Sequence, residues 1–112
     1  GSAKVTIPAT VTVDGKTYKV TSIAAKAFYG NTTIKRVTIG SNIVKIGKAA
    51  FYKCKNLKKV TIKSTKLTTK SVGAKAFKGI YKKAQFKVPK KLLKTYKKML
   101  IKKGANKKSK FK

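Results

Sequence analysis

The sequence predicts an α+β repeat protein: a short solenoid closed at one end by a β-hairpin and at the other by an amphipathic helix. Three observations predict it. A six-residue motif recurs, as I-A-A-K-A-F at 23–28, I-G-K-A-A-F at 46–51 and V-G-A-K-A-F at 72–77. Nine residues after each motif's Phe comes an apolar-x-apolar triplet: V-T-I at 37–39, V-T-I at 60–62 and F-K-V at 86–88. The repeats are flanked by an Asp-Gly turn signal upstream and a helical apolar period downstream.

In chain order, Gly1-Ser2 reads as a cloning scar. Residues 3–22 are expected to form an N-terminal strand and a capping hairpin. A lone V-T-I triplet stands at 5–7, and Asp14-Gly15 joins two alternating runs. Asp-Gly is a strong hairpin signal because both turn residues need positive φ. Residues 23–89 hold three repeats. The spacing is 23 residues and then 26, the extra three falling in the Thr- and Lys-rich stretch 63–71. Such units bury their apolar face only by stacking. Phe28, Phe51 and Phe77 are therefore expected to form a ladder, with Ile23, Ile46 and Val72 on the opposite wall. Ile34 and Leu57 add a layer that ends where Lys83 takes their place.

Pro89 precedes a helix expected over 90–104, with Leu92, Tyr96 and Leu100 laid over the last repeat and Gly104 stopping it. A basic amphipathic helix lying on a membrane surface is the rival reading of that segment. The tail, residues 105–112, is polar and lysine-rich and is expected to fray.

Charge dominates the composition. The 112 residues carry 31 Lys and Arg against one acidic residue, for a net charge of +30. Arg36 is the sole arginine, Asp14 the sole acid and Cys54 the sole cysteine, and histidine is absent. Metal sites need several Cys, His, Asp or Glu ligands. Paired-carboxylate and Ser-His-Asp or Cys-His chemistry lack their residues as well. No catalytic site, cofactor or metal is expected. A Schiff-base lysine cannot be singled out among thirty. A single cysteine forms no internal disulfide, and no apolar run is long enough to insert into a membrane. The C-terminal half is the electrostatic pole, and self-repulsion predicts stability that rises with ionic strength.

The second repeat runs Val44, Ile46, Gly47, Ala50, Phe51, Cys54, Leu57, Val60 and Ile62. This pattern resembles the BspA-type leucine-rich repeat. The first repeat matches with Ala24 in the Gly place and Asn31 in the Cys place; the third has Ile80 and Lys83 in the Cys and Leu places. The resemblance covers residues 20–88 and implies a right-handed leucine-rich-repeat solenoid. It also implies a secreted or cell-surface bacterial protein used in adhesion and protein binding, with no catalytic residues to carry over. Cys54 falls on the family's inward cysteine, which points to a core residue rather than a reactive thiol.

Strand alternation puts Thr6, Thr38, Thr61 and Lys87 in one outward column of the concave sheet, with Arg36, Lys59 and Gln85 beside it and Lys63 in the next. The candidate binding face is therefore Arg36, Thr38, Lys59, Thr61, Lys63, Gln85 and Lys87. A solvated sheet face with Thr chosen for β-propensity explains the same residues. Tyr29 and Tyr52 read as half-exposed packing residues or as a stacking platform for sugars or bases.

The expected function is a non-catalytic surface binding or adhesion module, monomeric, whose partner is a protein, an anionic polysaccharide or an anionic wall polymer. The alternatives are a structural cap or spacer held to wall polymer by charge, and non-specific nucleic-acid binding. Sequence-reading nucleic-acid proteins favour arginine, and this chain has one.

Overall fold

A computed structural model describes residues 3–112; Gly1-Ser2, expected above to be a cloning scar, lies outside them. The strands are β1 (Lys4–Ile7), β2 (Thr10–Val13), β3 (Lys16–Lys19), β4 (Ser22–Ile23), β5 (Arg36–Ile39), β6 (Lys45–Ile46), β7 (Lys59–Ile62), β8 (Gln85–Lys87) and β9 (Lys110–Phe111). One helix, α1 (Leu93–Lys102), follows a 3₁₀ turn at Lys90–Leu92.

The triplets form one parallel sheet in the order β1-β5-β7-β8-β9. Its register repeats from rung to rung: Val5 faces Val37, Val37 faces Val60, and Val60 faces Phe86. The inward-pointing Val37, Ile39, Val60, Ile62 and Phe86 are almost wholly buried. On the opposite wall β4 pairs with β6, and Ile46 bridges to Val72. Between the walls the Phe rings stack, Phe28 on Phe51 at 5.2 Å and Phe51 on Phe77 at 5.4 Å between centroids.

The turns carrying those rings are themselves hydrogen-bonded from repeat to repeat. The Phe28 amide donates to the Ala50 carbonyl and the Phe51 amide to the Ala76 carbonyl, both at 2.8 Å. Close stacking explains the repeat glycine. A Cβ on Gly47 would lie 2.2 Å from the Ala25 amide nitrogen, and one on Gly73 would lie 2.3 Å from that of Lys48.

The helix packs its apolar side against the core cluster. Tyr96, Met99 and Leu100 are buried, with Leu92 and Leu93 partly covered. Gly104 takes φ 109°. Ala105 N–H donates to the Leu100 carbonyl and Gly104 N–H to the Ile101 carbonyl, a Schellman stop. The helix end also replaces the missing next repeat, since the Phe77 amide donates to the Lys103 carbonyl at 3.0 Å.

Three expectations need correction. The tail does not fray: Lys110–Phe111 is the fifth strand of the main sheet, and Lys112 extends the ladder through bonds to Phe86 and Val88. Its polarity is that of a short edge strand with one inward residue, Phe111, stacked on Phe86 at 5.2 Å. Ser109 is buried and donates to the Lys82 carbonyl, so the approach to β9 is pinned too.

The hairpin forms at Asp14-Gly15, with φ 51° and 76°, but it covers no core. Every residue of β2 and β3 is exposed, including Val11 (42%), Val13 (54%) and Tyr18 (52%). It is a ribbon projecting from the connection between β1 and β4, tied at its base by Val20 N–H and the Asn42 side chain to the Ala9 carbonyl. Finally, the sheet has five strands, one more than the four triplets predict, because β9 joins it beyond β8.

Candidate functional site

The seven residues expected to form a binding face lie along the outer side of the main sheet. Register places Arg36 opposite Lys59 and Lys59 opposite Gln85. It places Thr38 opposite Thr61 and Thr61 opposite Lys87. Arg36, Lys59 and Lys87 are exposed, while Thr38, Thr61 and Gln85 are half-buried between them. Lys63 sits one step past β7, its amide bonded to the Ile39 carbonyl and its side chain exposed.

The structure adds residues that sequence reading missed. Lys4 faces Arg36 and Lys110 faces Gln85, so one row reads Lys4, Arg36, Lys59, Gln85, Lys110. Lys112 continues the Thr38 row beyond Lys87. Lys4 was legible, since it precedes the Val5–Ile7 triplet as Arg36 and Lys59 precede theirs. Lys110 was not, because nothing in a polar tail announces a strand that pairs with β8.

Neighbouring strands are about 4.8 Å apart. Unit charges at that separation in water repel by roughly 0.9 kcal/mol before salt screening. The long side chains therefore splay and leave shallow hollows. One of 150 Å³ is walled by Lys4, Arg36, Thr38, Lys59 and Thr61. Another of 330 Å³ lies among Lys59, Gln85, Lys87, Lys90 and Lys112. A third, of 350 Å³, brings in Tyr81 beside Lys35, Lys58 and Lys83. Each is a cation-lined trough on an open sheet, without an enclosed apolar pocket, and it can attract anions but offers nothing to activate one.

The remaining reactive groups are structural. Cys54 is buried, and its thiol contacts the Phe28 carbonyl at 3.0 Å. Burial pushes its pKa up, which keeps it a thiol and unreactive. Tyr29 and Tyr52 lie 5.1 Å apart with Lys26 and Lys53 ammoniums over their rings. The chain's own cations thus occupy ring faces that a ligand would need. Among the described residues, no three His, Cys, Asp or Glu side chains cluster as metal ligands do, and no helix is long and apolar enough to cross a membrane.

The model of the BspA type leucine rich repeat region (6 copies) matches residues 4–109, which takes in β1 and the approach to β9 as well as the central repeats. Two crystal structures are similar. One is a leucine rich cell surface protein from Faecalibacterium prausnitzii A2-165, with 26% identity and a TM-score of 0.58 over 78% of this chain. The other is a leucine-rich repeat protein from Bacteroides ovatus ATCC 8483, with 26% identity and a TM-score of 0.55 over 77%. The matched region spans 26% and 27% of those two chains, about a quarter of each. No curated protein is significantly similar to this chain.

Proposed function

Because the chain belongs to the BspA-type leucine-rich repeat family, we propose that it is a non-catalytic binding module of a secreted or surface-attached bacterial protein. Its outer sheet face is the part that meets an anionic partner. The observation that carries this reading is the row Lys4, Arg36, Lys59, Gln85, Lys110, four cations and no acid on five adjacent strands. The similarity to a cell surface protein supports the location.

The face works by charge and repetition. Each lysine is a hydrated point charge that makes a weak, undirected contact. Contacts made together by one ligand act at high effective concentration, so a weak array becomes a firm hold. The sheet keeps the array in place, because each cation's backbone is locked into a ladder above the Phe stack.

The test is binding of heparin, an acidic protein and a purified anionic wall polymer, each titrated from about 50 to about 300 mM salt. A Lys59→Glu/Lys63→Glu/Lys87→Glu variant is run beside the wild type. The reading expects at least one ligand to persist near physiological salt and to be lost by the variant. If wild type and variant release every ligand at the same salt concentration, the face is no site.

A further inference from the structure

We propose that the ligand of this face is a linear, base-free phosphodiester polymer of the cell-wall type, lying along the solenoid axis so that it crosses the strands one after another. The inference rests on the binding face proposed above and adds the chemistry and direction of its ligand. Three features carry it.

First, the charge is arranged along one line. Cations project from four of five consecutive rungs in one register row, Lys4, Arg36, Lys59 and Lys110, with Gln85 between the last two. Lys87 and Lys112 thicken the row at its C-terminal end. The row spans four strand intervals, about 19 Å. A chain bearing one negative charge on every link meets a new cation at four of the five rungs when it runs across the strands. When it runs along a strand it meets at most two.

Second, the face lacks what a protein partner needs. Protein interfaces draw their energy from buried aromatic and arginine anchors and are depleted in lysine. Beside the cationic row, on β1, β5 and β7, stand Thr6, Thr38 and Thr61, short hydroxyls that precede Lys87 and Lys112 in the neighbouring row. They leave a floor on which a thin chain can lie, and their hydroxyls can donate to phosphate oxygens.

Third, the face lacks what single-stranded nucleic acid needs. Base-binding grooves place aromatic rings under successive bases. Among the described residues, Tyr81 alone reaches the margin, and the Lys58 ammonium already lies 5.2 Å from its ring centroid. The backbone phosphate is then the only part of such a strand the face can hold.

The experiment uses the full chain, with poly(glycerol phosphate) fractions of graded length as probe and oligothymidylates of equal phosphate number and heparin as comparisons. Two variants of equal net charge are compared: Arg36→Glu/Lys59→Glu/Lys110→Glu in the row, and Lys94→Glu/Lys98→Glu/Lys102→Glu on the exposed side of the helix. A parallel Arg36→Gln/Lys59→Gln/Lys110→Gln variant keeps the row testable if the reversed charges disturb folding.

For the wild type, affinity is expected to climb steeply with polymer length until about 19 Å is spanned, and then to flatten. The row variant should lose at least about tenfold more affinity than the helix variant, and its salt slope should fall by about two units. Oligothymidylate should bind no tighter than the polymer at equal phosphate number. A smooth rise with length and no plateau overturns the proposal, as does tenfold tighter oligothymidylate. Heparin binding that depends on the row while the polymer ignores it overturns the ligand and leaves the face standing. Equal losses in both variants for every probe overturn the face as well.

Discussion

Lys53 shows how repetition constrains a single residue. It occupies the place held by Gly30 and Gly79 in the neighbouring repeats, and like them it has positive φ, 59° against 69° and 83°. A left-handed backbone costs an L-residue about 1–2 kcal/mol, and glycine is free of that penalty. Lys53→Gly is therefore expected to stabilise the protein by about 0.5–1 kcal/mol once glycine's extra unfolded-state entropy is set against the relief. A urea midpoint that falls would show that the Lys53–Tyr52 contact outweighs the strain. Tyr96 is a second case. Its hydroxyl accepts from Leu67 N–H at 3.1 Å and donates to the Ser64 carbonyl at 2.8 Å. Buried Ser64 in turn donates to the Ile43 carbonyl. Tyr96→Phe strands an amide and a carbonyl and should cost about 2 kcal/mol. Burial also raises the Tyr96 pKa, so the folded state holds the phenol's proton more tightly than the unfolded chain does. That contribution is whole below about pH 10 and is lost as the pH rises beyond it. The difference in Tm between wild type and Tyr96→Phe should accordingly narrow above that pH; a constant gap would contradict it.

At the scale of elements, the two ends of the chain are treated alike. Both termini bring a short strand to the edge of the main sheet, and each carries a lysine, Lys4 on β1 and Lys110 on β9, which discourages further edge pairing. The expectation of a frayed tail weighed composition, and composition is blind to a partner 25 residues away: Phe86 supplies both the ladder and the ring that Phe111 stacks on. Phe111→Ala is expected to cost about 2 kcal/mol, below the range for a fully buried Phe because the ring is partly exposed. Hydrogen exchange at Lys112, whose amide bonds Phe86, should quicken in that variant while exchange in β5 falls only in step with global stability. Unchanged exchange at Lys112 would mean that β9 is held without its ring. The hairpin was legible as a hairpin from Asp14-Gly15, yet its position outside the stack was not. Its alternation of Val11, Val13 and Tyr18 looks like a buried face, and only the route of the chain leaves that face outside the stack.

For the whole molecule, the charge is the controlling quantity. Spread evenly over 6908 Å² of surface, +30 puts neighbouring charges about 15 Å apart, beyond the roughly 8 Å Debye length of physiological salt. The register row breaks that average, because it lines cations up at strand spacing, well inside the screening length. Folding therefore concentrates repulsion that the unfolded chain disperses. Raising salt from about 10 to about 300 mM should lift Tm by at least about 5 °C, roughly 1 kcal/mol for a domain of this size. An unchanged Tm would refute it. On the proposed function, a polyanion that relieves the row is expected to raise Tm as well, because a ligand of the folded face stabilises the fold that creates it.

The order of the core was readable from the chain alone, because a repeat states its own packing. The 23- and 26-residue spacing sets which Phe meets which, and period-two alternation sets which side chains turn outward. Arg36, Thr38, Lys59, Thr61, Gln85 and Lys87 follow from those two rules. Folding settled what lies outside the period: where the hairpin points, that the tail returns to the sheet, and hence that Lys110 and Lys112 join the cationic row. Those outcomes rest on contacts between residues far apart in sequence, with no local periodicity to announce them. Local rules can name the sheet's outward residues, but the length and continuity of the row they form depend on where the two chain ends come to rest.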